Sequence, residues 1–418
     1  MCLQSRGVIS VQQRSRIDSF VDGLSNFDDF GTKTEVVEVS SSADAPPLRY
    51  FVNEFWTNAQ RAGHALHEIS YRACFKPQLP EFFIDRLTGS ESAVYDPFMG
   101  RGTTPIQAAL MDRRVFGNDA NPMSIMMTRP RLNTPELCDI EYRLKEVSWD
   151  DGEPTPGDKR FGVFFHSATL RQIVGLRSWL SEREEAGKFD YVDDWIRLVA
   201  MSRLTGHSPG FFSVYTLPPN QAASIESQSR INERREQTPP ERDVKSLILR
   251  KSRSLLRHGG LNYSQFHLCC GDSRSTPEIP TDSVELIVTS PPFLDTVDYR
   301  TDNHVRAWFA GIDIDALPIA ILQDIKDWQR FTAETLEELC RVVKPGGTIC
   351  YEVGEVRNAT IKLEDVVLGA IRNAQLPVEV IGVLVNQQDF TKTSNTWGVT
   401  NNRRGTNTNR VVMMTVLE

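Results

Sequence analysis

Short apolar runs alternate with amphipathic stretches in two separated parts of the chain. Residues 93–96 (A-V-Y-D) predict a short strand, and 104–113 a helix with Ile106, Ala109 and Leu110 on one face. Residues 114–118 predict a second strand, ending at Asp119. Strand, turn, helix and strand in that order begin a parallel, doubly wound α/β sheet. The alternation then stops. From about 131 to 260 the pattern is helical and loop-rich, broken by P-T-P-G at 154–157 and T-P-P-E at 238–241. It resumes with strands at 265–271 and 283–289, a helix over 327–343, a K-P-G-G turn at 344–347 and a strand at 348–353. Residues 376–386 and 410–416 predict a closing antiparallel pair.

This pattern predicts one α/β domain made of residues 61–130 and 261–418, split by a mostly helical insertion at 131–260. Insertions on such sheets supply lids or recognition lobes, which makes 131–260 the candidate target-recognition region. An extension, 1–60, comes first, and its S-S-S-A-D-A-P-P run at 40–47 reads as a linker.

Composition narrows the class. A hydrophobic share of 40% and a charged share of 24% are those of a soluble globular protein. No run of eighteen apolar residues occurs, which excludes a membrane-spanning helix. The opening M-C-L-Q-S-R-G-V-I-S-V-Q-Q-R-S-R lacks an apolar core with a small-residue cleavage site and reads as a surface helix, so a cytoplasmic location is expected. Seven cysteines without a C-x-x-C pair are expected to be reduced thiols, and seven histidines show no metal-ligand spacing, so no metal is assigned. The net charge of −8 argues against a protein that coats nucleic acid indiscriminately. Two basic stretches remain: nine Lys/Arg against four acids over 230–257, and four cations with no acid over 392–410. Each is either a solvated face or a phosphate-contacting surface. Arg230, Arg234, Arg235, Arg403 and Arg404 are the candidate nucleic-acid contacts.

The chemistry concentrates in two motifs. The first is D-P-F-M-G-R-G-T-T, Asp96 to Thr104. Gly100 and Gly102 at a strand-to-helix turn let backbone approach a ligand, and a helix beginning near Thr103 points free N–H groups the same way. Asp119, at the end of the next strand, can accept both hydroxyl hydrogens of a ribose. A structural turn or a dinucleotide site would share the G-x-G. Against the dinucleotide, position 105 is Pro where a third glycine belongs.

The second motif, Ser290-Pro291-Pro292-Phe293, follows the apolar strand. Two prolines make a rigid, extended corner that can hold a backbone carbonyl and the Ser290 hydroxyl in place, with the Phe293 ring alongside. The lone pair of a base amine is delocalised into the ring. Acceptors aimed at its N–H bonds would localise that pair for in-line attack on a methyl sulfonium, and an aromatic face would stack the flipped base.

Together the motifs resemble those of the amino-group DNA methyltransferases, which act on cytosine N4 or adenine N6. Asp96–Thr104 looks like that family's cofactor motif, and Ser290–Phe293 like its S/D/N-P-P-Y/F/W catalytic tetrad. The segment 71–80, Phe75, Lys76 and Pro77 included, resembles the one that closes over the methionine end of the cofactor. Cys270-Gly271-Asp272-Ser273 resembles the acidic strand end that contacts adenine. The resemblance implies a seven-stranded, Rossmann-like methyltransferase sheet and S-adenosyl-L-methionine as cofactor. That cofactor would be held by Phe75, Lys76, Pro77, Asp96, Phe98, Gly100, Gly102, Thr103, Thr104, Asp119, Asn121 and Asp272. It also implies DNA as substrate and cognate restriction or defence proteins as partners. A serine at the first tetrad position leans towards N4-methylcytosine as the product. N6-adenine in DNA, an RNA base amine, or an inactive nucleic-acid-binding relative are the alternatives. Two departures stand out: about 140 residues separate Asn121 from the third strand, and the tetrad ends in Phe where Tyr is commoner.

Three further segments are candidates for acceptor contacts. Residues 295–300 with His304 and Arg306 would line a base pocket or cap a helix, and Phe211, Phe212 and Tyr215 would stack on nucleic acid or fill the core. The loop 395–410 would lie over the catalytic face or simply be exposed.

Overall fold

The computed structural model describes residues 11–40, 47–56, 63–294, 299–319, 322–356, 360–387 and 408–418. Helix α1 (Val11–Ser25) leads to strands β1 (Glu35–Val39) and β2 (Leu48–Asn53), then α2 (Gln78–Leu87). Next come β3 (Ala93–Asp96), α3 (Thr103–Leu110), β4 (Arg114–Asp119) and α4 (Met123–Leu132). Helices α5 (Leu137–Arg143), α6 (Pro156–Lys159), α7 (Ser167–Glu185), α8 (Tyr191–Arg203), α9 (Ile225–Arg235) and α10 (Val244–Leu255) follow, with no strand between them. The chain returns with β5 (Phe266–Cys270), β6 (Val284–Thr289), α11 (Tyr299–Ala310), α12 (Ile325–Val342) and β7 (Val343–Val353). A small pair, β8 (Glu355–Val356) and β9 (Ile361–Lys362), precedes α13 (Leu363–Ala374), β10 (Val378–Gln387) and β11 (Thr408–Val416).

The main sheet runs β1-β2-β10-β11-β7-β6-β3-β4-β5. From β5 to β7 every neighbouring pair is parallel, and β11 lies antiparallel between β7 and β10. These seven strands are the expected methyltransferase sheet, with the expected closing pair. The N-terminal extension adds two more, with β2 parallel to β10 and β1 on the edge. All five residues of β1 are exposed, and E-V-V-E-V does not alternate, so its sequence carries little strand signal.

Chain order turns at β3: β4 and β5 extend to one side, β6 and β7 to the other. The C-terminal ends of β3 and β6 therefore open on a topological switch point, where sheets of this kind bind ligands. β3 is wholly buried, as a central parallel strand covered on both faces must be. K-P-G-G is absorbed into β7 as a bulge: pairing jumps from Val284↔Val343 to Leu286↔Thr348, with Gly346 at φ 76°.

The insertion shares its core with the sheet's flank. Trp195, Leu198 and Val199 of α8 and Leu247 and Ile248 of α10 join Met127 and Leu132 of α4 in one apolar cluster. Asp190 and Asp193 form a capping box that starts α8, and Arg129 crosses from α4 to Asp194 at 2.6 Å. Among the described residues, no helix is long and apolar enough to cross a membrane.

Candidate active site

The loop after β3 is built on two buried carboxylates. The Asp96 Oδ1 accepts the Phe98 N–H at 3.1 Å and the Thr289 hydroxyl at 2.6 Å, which ties the ends of β3 and β6 together. Burial, resisted by those two hydrogen bonds, pushes its pKa up to about 7. Asp119, ending β4, accepts one backbone N–H on each oxygen: Gly100 and Asn121, both at 2.8 Å. Burial raises its pKa too. The Thr104 hydroxyl donates to the Val288 carbonyl at 2.9 Å, fixing the start of α3 against β6.

Both glycines take left-handed backbone, Gly100 at φ 51° and Gly102 at φ 78°. A Cβ on Gly102 would overlap the Thr128 side chain, so this turn requires glycine twice over. Arginines brace it from behind. Arg101 donates to the carbonyls of Ile69 (2.7 Å) and Phe75 (3.2 Å). Fully buried Arg131 donates to the carbonyls of Leu66 and Arg101, and burial brings its pKa down to about 9. The segment 66–75 is thereby bound to the turn.

A cavity of about 330 Å³ opens over these groups. Tyr71, Arg72, Cys74 and Phe75 form one wall; Asp96, Phe98, Gly100, Thr103, Asp119 and Asn121 form the floor. Asp272, Arg274 and Phe331 close one end, and Ser290, Pro292 and Tyr299 the other. Lys76, Pro77, Gly102 and Thr104 are not among the lining residues. Asp272 is held by Arg274, whose Nη2 lies at 2.7 Å and which also meets Glu334 at 2.9 Å. That pairing keeps the Asp272 carboxyl below the usual range.

The floor fits a nucleoside-bearing cofactor. The Asn121 Oδ1 caps Met123 at 3.0 Å, while its Nδ2 is buried with no hydrogen-bond partner among the described residues. A buried amide donor without a partner is costly unless a ligand satisfies it. Beside it lie the Asp119 carboxylate and the side-chain-free surface of Gly100.

At the far end, Ser290 follows β6 and lines the cavity. The Pro292 carbonyl accepts the indole N–H of buried Trp328 at 2.8 Å, which fixes the Pro-Pro corner to α12. Phe293 is not in the lining; it rests half-buried on the core cluster that includes Trp328 and Leu336. Sequence reasoning missed Glu352. Strand pairing sets Thr289 opposite Tyr351, and the next residue, Glu352, is 6% exposed and hydrogen-bonded to Ser290. The Asn409 side chain donates to its Oε1 at 2.9 Å. Burial pushes the Glu352 carboxyl up to about 7. The available signal was an acid inside the apolar run I-C-Y-E-V, where a charge needs a reason.

The remaining candidates divide. Arg230, Arg234 and Arg235 are exposed on α9, with Arg235 stacked 3.8 Å over the ring of Tyr215. Phe211 and Phe212 are core, whereas Tyr215 is 44% exposed. Arg306 is buried and donates to the carbonyls of Ser70 and Pro219, and His304 packs near Phe161. Both stitch the insertion to the sheet and neither lines the cavity. Arg403, Arg404 and residues 295–298 lie outside the described residues, as do 395–407. The six described cysteines are free thiols, and no His/Cys/Asp/Glu group among the described residues could hold a metal.

Comparison with known proteins bears on the turn and its flanks. The DNA methylase family matches residues 25–128, a stretch that contains Asp96–Asp119 and ends before Ser290. The chain is 31% identical over 102 residues to the type II methyltransferase M.MvaI of Kocuria varians, covering 22% of each protein. It is 33% identical over 97 residues to the type II methyltransferase M.MjaII of Methanocaldococcus jannaschii, covering 22% of this chain and 18% of that one. The chain therefore spans about a fifth of the length of these curated relatives. Among solved structures, TrmN from Thermus thermophilus overlaps 83% of this chain and 50% of its own at 11% identity, with a TM-score of 0.32. S-adenosyl-L-methionine is the cofactor that the family match supports. Through residues 25–128 the chain is related to the DNA methylases, and its sequence matches support an amino-group DNA methyltransferase.

Proposed function

We propose that the protein transfers a methyl group from S-adenosyl-L-methionine to the exocyclic amine of a base in DNA, with cytosine N4 as the acceptor. The observation that carries this reading is one cavity with the Asp96–Asp119 turn at its floor and Ser290 at its end. When bound, the cofactor supplies an electrophilic methyl on a sulfonium. The chain's own residues do the rest. Asp119 and the unpaired amide of Asn121 hold the ribose and its neighbourhood, and Phe75 closes the methionine side.

The acceptor is handled by Ser290. Its hydroxyl has a single hydrogen, which the Glu352 carboxylate accepts. The Ser290 oxygen is then left with lone pairs for an amine N–H, and the corner offers backbone carbonyls beside it. Two acceptors localise the amine lone pair along the line of attack. Once nitrogen gains the methyl it must lose a proton. Glu352, with a pKa near neutrality, is placed to take one through Ser290. Pro292, Tyr299 and Tyr71 supply apolar faces against which a flipped base can rest.

Labelled methyl transfer to unmethylated duplex DNA, followed by nucleoside analysis, tests this reading. N4-methylcytosine is the expected product. N6-methyladenine would keep the mechanism and overturn the acceptor, and label confined to RNA would overturn the substrate. A protein that binds the cofactor yet labels no nucleic acid would overturn the function.

A further inference from the structure

Several arginines in and beside the insertion are paired with aspartates. Arg129, Arg143, Arg177, Arg183 and Arg197 each lie within ion-pair distance of an aspartate: Asp194, Asp190 with Asp193, Asp158, Asp193 and Asp194. Three cations meet at the junction of α8, α10 and the loop 206–211. Arg203 donates to the Ser202 carbonyl at 2.9 Å, Arg250 to Pro209 at 3.4 Å and Lys251 to Glu68 at 2.9 Å. Their described hydrogen-bond partners are backbone carbonyls, which are neutral, and the Glu68 carboxylate acts on Lys251 only through space. Glu68 itself is hydrogen-bonded on both oxygens by Arg257.

The cluster is also held in shape. The Arg203 guanidinium lies 4.1 Å over the ring of Phe211, and the Phe212 N–H returns to the Arg203 carbonyl at 2.8 Å. A Cβ on Gly206 would overlap the Phe211 ring, so the loop depends on that glycine to bring Phe211 under the arginine. Burial and mutual repulsion act together: Lys251 is pushed down to about 8, with Arg203 the largest charge against it, and Arg203 to about 10, with Arg306 and Arg250 against it. Arg203 and Lys251 are half-buried and Arg250 is exposed beside them; like charges held together in this way are a cost that an anion would reduce. A planar guanidinium fixed on an aromatic face suits phosphate oxygens.

Location names the anion. Lys251 bonds the Glu68 carbonyl, Arg306 the Ser70 carbonyl, and Tyr71 and Arg72 are in the cavity wall. The backbone from 68 to 72 thus has the cations on one side and the proposed base pocket on the other. We propose that Arg203, Arg250 and Lys251 form a binding site for a backbone phosphate of the DNA whose base enters the cavity. This rests on the DNA reading above. It adds Arg203 of α8 to Arg250 and Lys251, which lie in the basic stretch 230–257 already marked in the sequence beyond the three α9 arginines named there.

The test is equilibrium binding of a fluorescent duplex across a salt series, comparing wild type with Arg250→Gln, Lys251→Gln and the double variant. Arg203 is left intact because it supports the loop, and Lys33→Gln, exposed near the N-terminal hairpin, serves as control. The double variant should bind about tenfold more weakly at physiological salt, with the salt slope reduced by about 1 per cation removed. Its S-adenosyl-L-methionine affinity should match wild type, and its melting temperature should be no lower. An unchanged affinity and slope would overturn the site while leaving the function standing. Stabilisation of wild type, but not the double variant, by inorganic phosphate without any change in DNA binding would assign it to a free anion instead. A wild type that binds no DNA would overturn both readings.

Discussion

The two ends of the cavity are built differently. The Asp96–Asp119 floor comes mainly from one stretch of chain, and its two carboxylates are held by neighbours: Asp96 by Phe98 and by Thr289 across the sheet, Asp119 by Gly100 and Asn121, with Arg101 braced behind. The Ser290 end is assembled from distant segments. Ser290 follows β6, Glu352 is on β7, Asn409 on β11, Trp328 on α12 and Tyr71 in the segment before α2. A local site built on left-handed glycines is most sensitive to changes in its backbone conformation. An assembled one can be altered at any of several side chains while the fold stands.

Three substitutions sharpen that contrast. The largest effect is expected at the floor, where Gly102→Val puts a branched side chain at φ 78° against Thr128. Backbone strain alone is worth about 1–3 kcal/mol, so the cofactor Kd by calorimetry should rise at least about tenfold, and transfer should fall with it. An unchanged Kd would mean the turn does not shape the cofactor site. Next is Glu352→Gln, which keeps volume but can no longer offer a carboxylate to Ser290. Single-turnover transfer should slow by about 10- to 100-fold, the worth of a hydrogen bond to a charged group, with cofactor Kd and melting temperature unchanged. A rate within twofold of wild type would make Glu352 merely structural.

The smallest effect concerns pH. The folded Asp96 carboxyl keeps its proton to about pH 7, whereas the unfolded chain releases it near about 3.9. Between those values the folded state binds more protons, so stability falls as pH rises through the window and levels off above it. Glu352 adds a contribution of the same sign. Asp96→Asn should flatten the dependence of melting temperature on pH between these limits; an equal slope in the variant would contradict the assignment.

The same contrast explains what the sequence could disclose. Asp96, Gly100, Gly102 and Asp119 were legible because a strand-to-helix turn writes its requirements into consecutive residues. The sheet was legible from β3 to β11 because apolar runs and amphipathic helices differ in period. The β1–β2 hairpin was not, since its docking on β10 is a tertiary choice and β1 is exposed on both faces. Glu352 was missed because its partner is 62 residues away and only strand register brings the two together. The tetrad motif identified Ser290 but could not show that Phe293 turns to the core. Nor could spacing alone tell Arg203, with only carbonyl partners, from Arg197, which has Asp194.

The proposed function requires one cavity to join a cofactor floor to a separately breakable acceptor corner. The direct test is Ser290→Ala, with S-adenosyl-L-methionine Kd and single-turnover methyl transfer to duplex DNA measured on the same preparation. The account predicts a transfer rate lower by about 100- to 1,000-fold, the cost of removing one positioned hydrogen-bonding group from a reacting centre, with the Kd within about twofold of wild type. Equal loss of binding and transfer, or transfer that survives unchanged, would contradict it.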